Sequence, residues 1–121
     1  NLKKTIKKRR ENADYYFKNL NKSFYKLINE KKYQFNTYHT FVIQTDNRGK
    51  LIKFLKKKGI GSTIHYPTPI HLQPASKYLN IKKNSFPVTE YQSKKILTIP
   101  INQNLSFENV KYIVKVMNSF N

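Results

Sequence analysis

Between Gly59 and Pro74 the chain reads GIGSTIHYPTPIHLQP, and its prolines, Pro67, Pro69 and Pro74, leave the backbone few options. Each one fixes φ and removes a backbone donor, so neither a helix nor a central strand runs through the segment. Ile60 and Ile64 form a short apolar lead-in, after which His65, Tyr66, His71 and Gln73 bring hydrogen-bonding and aromatic groups into the stiffened stretch. A proline-braced segment lined with such groups reads as a ligand-facing loop, and the rest of the chain as the frame that holds it.

The frame is a single domain. A chain of 121 residues supports one modest core, and 38% hydrophobic with 14% aromatic residues is enough to build it. The absence of cysteine excludes disulfides and thiolate metal sites. No apolar run of about 18 residues crosses a membrane, and the lysine-rich start lacks the apolar core of a signal peptide. The expectation is a soluble, cytoplasmic protein. The formal charge of +18 invites a nucleic-acid reading. Lysine, asparagine, isoleucine, tyrosine and phenylalanine are abundant together, however, as in a low-GC coding background. The lysines are also scattered, apart from clusters at Lys3–Arg10 and Lys56–Lys58. The charge therefore reads mainly as solvated surface.

Apolar residues at threes and fours from Leu2 through Ile6, Ala13, Tyr16, Leu20, Phe24 and Leu27 predict one long helix over 2–29. At 1.5 Å per residue it would span about 40 Å, more than one small core covers. Its start, without an N-cap before the pattern, suggests a chain cut from a larger protein in mid-helix. TFVIQT at 40–45 predicts a buried strand, with Asp46-Asn47 turning the chain and capping a helix over 48–58 that ends at Gly59. Residues 62–66 predict a second strand leading into the loop. One or two helical turns follow at 74–79, then exposed loop over 80–85. A short helix over 90–95 is predicted with Thr89 as N-cap, and a third strand over 96–101 stops at Pro100. The closing helix starts at Ser106, with Asn109 leaving its capping box incomplete, and shows Phe107, Val110, Ile113, Val114 and Met117 on its apolar face. The fold class is α+β: a small three-stranded sheet packed with helices, led by a long N-terminal helix. No internal repeat is visible.

The series YHTFVIQT, RGKLIKFLKKKGIGSTIHYPTPIHLQPA and FPVTEYQSKKILTIPINQNLS, followed by a closing helix, resembles the C-terminal domain of the DegT/StrS family. These are aminotransferases that use pyridoxal phosphate and act on nucleotide-linked sugars. The resemblance covers essentially the whole chain, and HYPTPIH and the pair FPVTE…ILTIPI carry it most specifically. It implies the small domain of a fold-type I aminotransferase, with residues 1–29 as the tail of the helix joining two domains. It further implies that the Schiff-base lysine, the aspartate facing the pyridine nitrogen and the phosphate-binding loop lie on a large domain absent from this chain. No lysine here sits in such a motif, so the chain alone is expected to be inactive. The implied reaction moves an amino group from glutamate to a keto-sugar, in amino-sugar or polysaccharide biosynthesis, within a homodimer. His65, Tyr66 and His71 are the residues expected to approach the substrate, their imidazole and phenol groups bonding sugar hydroxyls or a diphosphate.

Other readings of the same residues remain open at this level. His39 reads as structural, and Glu90 as a first-turn helix residue matched to the helix dipole. The spacing of the histidines, without an acidic neighbour, does not describe a metal site. A basic α+β module that stacks RNA bases is the competing class, but TFVIQT and ILTIPI lack the alternating aromatic pair such sheets use. A regulatory remnant pairing with a full-length homologue is a third.

Overall fold

The computed structural model describes residues 1–120 as four α-helices, a three-stranded sheet and two short 3-10 helices. Helix α1 (Leu2–Asn19) is opened by Asn1, whose side chain accepts from the Lys4 amide, and it buries Asn12, Ala13 and Tyr16. It stops at Asn19 instead of reaching residue 29, with Leu20 already extended. Local side-chain bonds compete with the helix there. The Asn21 side chain accepts from the Ser23 amide at 3.0 Å. Asn118 meanwhile donates to the Asn19 carbonyl at 2.8 Å and accepts from the Asn21 amide at 2.9 Å. The apolar spacing that continues through Phe24 and Leu27 thus belongs to a turn and to a short strand, β1 (Lys26–Leu27).

Strand β2 (Phe41–Gln44) is central, antiparallel to β1 on one side and to β3 (Ile96–Ile99) on the other. Phe41 faces Ile99 and Ile43 faces Leu97 across the ladder, so these four buried side chains share one face. On it lie Ala13 and Tyr16 of α1, Leu51 and Leu55 of α2 (Arg48–Lys57), and Val110, Ile113 and Met117 of α4 (Phe107–Asn118). Tyr16 and Phe17 meet the Phe41 ring at centroid distances of 5.0 and 5.1 Å. Two phenols enter this apolar layer because each finds a carbonyl. Tyr16 donates to Pro100 and Tyr25 to Met117, both at 2.7 Å.

The strand expected over 62–66 is a single bridge, Thr63 to Thr98, on the outer edge of β3. Thr98 exchanges both backbone bonds with Thr63, at 2.8 and 3.1 Å. The neighbouring positions on that edge have nothing to offer. Pro100 has no N–H, while the Ile96 N–H bonds Gln92 and its carbonyl accepts from Arg48. The third strand of the sheet is therefore β1.

The caps differ from expectation in detail. Asn47 is the N-cap of α2 but makes no side-chain capping bond, and Asp46 instead pairs with Lys95. At the other end Gly59, at φ +71°, bonds Lys56 and lets Ile60 reach back to Leu55, the closed termination expected of a glycine there. Helix α3 (Pro87–Lys95) begins with Pro87, ahead of the predicted Thr89 cap, because proline fits the first helical position where no amide partner is needed. Ser106 caps α4 as expected, accepting from Asn109 at 3.1 Å. The segment between β1 and β2 is tied to α1 by Arg10, which forks onto Glu30 at 3.1 and 2.9 Å and lies 4.6 Å over the Phe35 ring.

Burial raises the Tyr16 phenol well above the usual range and pushes Tyr25 up to about 12. The folded state thus keeps protons that an unfolded chain releases near pH 10, so their contribution is intact below that and fades as pH climbs toward 12. Denaturant midpoints measured against pH should fall over that window. Tyr16→Phe and Tyr25→Phe should each cost about 1–2 kcal/mol at neutral pH, from the carbonyl left unpaired.

Candidate functional site

The loop that follows the Thr63–Thr98 bridge is fixed at two points. The first is Thr98 itself, whose hydroxyl lies 3.1 Å from Nδ1 of His65. Val42 and Thr98 pair on the sheet face opposite the core, so the histidine is held where strand β3 meets the loop. The peptide between His65 and Tyr66 is cis. The two rings meet edge to face at 5.5 Å, and Tyr66 stands out at 72% exposure. Its hydroxyl makes no bond among the described residues.

The second point is His71, in the 3-10 turn Ile70–Leu72. Its Nε2 lies 3.0 Å from Oε1 of Glu90, with side-chain exposures of only 8% and 7%. The ring packs edge-on to Phe86 at 4.8 Å. Of the three residues expected to approach the substrate, His71 points inward, because the carboxylate of Glu90 lies beneath the turn. Glu90 is indeed a first-turn residue of α3, but it also receives the Asn84 amide at 2.7 Å. Asn84 can aim that amide because it adopts φ +70°, a conformation asparagine tolerates better than most residues. Burial pushes the Glu90 carboxyl up, but the His71 bond and the amides of Asn84 and Phe86 outweigh it and hold the group below its ordinary value. Sequence spacing carried no signal for this pairing, since Glu90 lies nineteen positions from His71.

Between loop and helix a groove of about 230 Å³ opens, with Tyr66, Pro69 and Ile70 on one wall and Thr89, Gln92 and Ile96 on the other. Gln73 stays with the loop, donating to the Thr68 carbonyl at 3.3 Å. His39 lies elsewhere, its Nδ1 3.5 Å from Arg9, which also bonds Gln103. The groove can accept a polar ligand through the Tyr66 phenol and the Thr89 and Gln92 side chains, with apolar contact from Ile70, while the His65 imidazole stands beside it on Thr98. The sheet face behind it carries Val42, Gln44, Ile96 and Thr98 and no aromatic ring, which removes the platform a base-stacking module needs.

Among the described residues no group of three or more histidine, aspartate or glutamate side chains is placed to hold a metal ion. No helix is long and apolar enough to cross a membrane. A Schiff-base cofactor needs a lysine that is desolvated and neutral. All lysines of this chain are exposed or half-buried, and Lys95, one of the two less exposed, is raised by its Asp46 partner, which favours the charged ammonium. The residues present do not fit such a group.

The DegT/DnrJ/EryC1/StrS aminotransferase family model matches residues 1–118. The chain is 30% identical, over 93% of its length, to the dTDP-3-amino-3,6-dideoxy-alpha-D-galactopyranose transaminase of Aneurinibacillus thermoaerophilus. It is 37% identical over 68% of its length to the erythromycin biosynthesis sensory transduction protein EryC1 of Saccharopolyspora erythraea. These matches span 31% and 22% of the two relatives. Among solved structures, a family aminotransferase from Brucella abortus superimposes with a TM-score of 0.87 and 28% identity, over 96% of this chain and 31% of that one. The DesV structure from S. venezuelae, in complex with a ketimine intermediate, shares the fold at a TM-score of 0.89 and 24% identity, over 94% and 31%. The chain therefore spans about a third, or less, of the length of the proteins it matches.

The Glu90 carboxyl gives a pH test. A carboxyl held low in the folded state contributes stability above its ordinary value of 4.5, and that contribution is lost as pH falls through the lowered folded value. Melting temperature followed down from pH 6 should drop below that point, and Glu90→Gln should flatten the drop.

Proposed function

This chain belongs to the DegT/DnrJ/EryC1/StrS aminotransferase family, and on that premise we propose that it is the C-terminal domain of a nucleotide-sugar aminotransferase dependent on pyridoxal phosphate. Its relatives' names and the groove beside the proline-braced loop support this reading. The rest of the enzyme, a large domain, holds the cofactor and supplies the lysine, consistent with the misfit of the lysines here. The complete enzyme works in the cytoplasm as a homodimer, on glutamate and a nucleotide-linked keto-sugar. Alone, this chain does not transaminate.

The observation that carries the proposal is the pair His65–Tyr66, exposed where the loop leaves the sheet, with His65 anchored on Thr98 and the far side of the loop fixed to α3 through His71 and Glu90. In this reading His65 and Tyr66 touch the sugar nucleotide. The free Nε2 side of the imidazole and the phenol hydroxyl bond sugar hydroxyls or diphosphate oxygens. His71 serves the same site from beneath. With Nε2 on Glu90 it holds the loop at the distance from α3 that keeps the groove open. Binding of this kind positions a substrate; it moves no proton in the reaction.

The complete polypeptide should bind pyridoxal phosphate and turn yellow, whereas the chain alone should show neither colour nor turnover. A complete polypeptide that binds no cofactor, or turnover by the chain alone, overturns the assignment. In the complete enzyme, His65→Ala and Tyr66→Phe should each raise KM for the sugar nucleotide about three- to tenfold, the size of one uncharged hydrogen bond, with the glutamate half-reaction unchanged.

A further inference from the structure

On the far side of α3 from the loop groove lies a second, smaller recess of about 180 Å³, bounded by the α1–β1 turn, the end of β2 and α3. Strand alternation places Phe41 and Ile43 in the core, so Gln44 projects from the opposite face, toward α3. Gln44 is only 6% exposed and Thr45 7%, and both line the recess. Neither side chain makes a hydrogen bond among the described residues, and neither is sealed among the fully buried atoms lacking partners. Their polar groups therefore reach the recess itself. Buried amides and hydroxyls of folded proteins are normally paired with protein or ordered water, so two neighbouring ones without protein partners offer the recess uncommitted hydrogen-bonding groups.

The surroundings specify its charge. Lys26 is the direct cross-strand partner of Gln44, and side chains so paired project on the same face within about 5 Å at their Cβ atoms. Lys22 lines the same recess, as does Lys95, whose charge Asp46 offsets. The α3 carbonyls that would repel an anion are occupied: Thr45 bonds Lys95, and Arg48 bonds Ser93 at 2.5 Å. What remains is a small concavity with an amide, a hydroxyl and two ammonium groups that form no ion pair among the described residues, lined also by Ser23 and by Asp46, whose carboxylate is paired with Lys95.

We propose that this recess is a binding site for a phosphate-type oxyanion, held by the Gln44 amide and the Thr45 hydroxyl, with Lys22 and Lys26 supplying charge. It is independent of the aminotransferase reading, since it shares no residue with the loop groove. The geometry suits tetrahedral oxygens, which accept from several converging donors at once.

Inorganic phosphate titrated into the protein at constant ionic strength, with chloride as the replaced ion, tests this by NMR. The expected result is saturable shifts of the Gln44 side-chain amide and the Thr45 backbone amide. Lys26→Gln and Gln44→Leu should each weaken binding about tenfold. Lys57→Gln, at the end of α2, should leave it unchanged, which separates a built site from the attraction of a chain at +18. Thr45→Val serves as a second probe should Gln44→Leu disturb the fold. Shifts that do not saturate, or that all these variants leave unaltered, overturn the site.

Discussion

A single β-bridge, Thr63 to Thr98, carries the position of the core out to the loop. Thr98 lies in a strand whose inward side chains, Leu97 and Ile99, are fully buried against three helices, so its backbone has nowhere to move. Everything downstream inherits that rigidity. His65 is bonded to the same threonine, Tyr66 projects from the next peptide, and the prolines prevent the chain from relaxing back into a helix. Interiors packed at crystal-like density transmit such placement without slack. A loop that must meet a partner group at fixed distance is best suspended from an edge of this kind.

The pairing of Glu90 with His71 does the complementary job on the other flank. Two ionisable side chains of this burial are expensive in isolation and cheap only when their hydrogen bonds are complete. Here the carboxylate is supplied from three directions: the imidazole, the Asn84 amide and the Phe86 amide. The arrangement specifies one loop position over its neighbours, because any shift leaves a partly buried charge without its donors. Removing the charge should therefore affect order in the loop more than the core.

Much of this was legible in the sequence. Helix α2 and its Gly59 ending, strand β2, the 3-10 helix at Pro74–Leu79 and α4 with Ser106 as cap lie where spacing and turn chemistry place them. So does the proline-braced loop with His65 and Tyr66 on its outside. The errors share a cause. Asn118 terminates α1 from the far end of the chain, Pro100 and Arg48 strip β3 of pairing partners for 62–66, and Glu90 turns His71 inward. Each is a contact between segments remote in sequence, which periodicity does not contain. The recess at Gln44 escaped for a related reason: glutamine in a strand pattern looks like a solvated residue until a helix is laid over it.

The bonds from Asn118 to Asn19 and Asn21 join positions 99 and 97 residues apart, and Tyr25 reaches Met117 across 92. The opening helix is thus completed by the closing one. During synthesis Tyr16 and Phe17 can meet Phe41 early, but the end of α1 that Asn118 closes must wait until about a hundred further residues have emerged. Such long-range closure slows folding and leaves sticky surface available to chaperones or to neighbouring nascent chains.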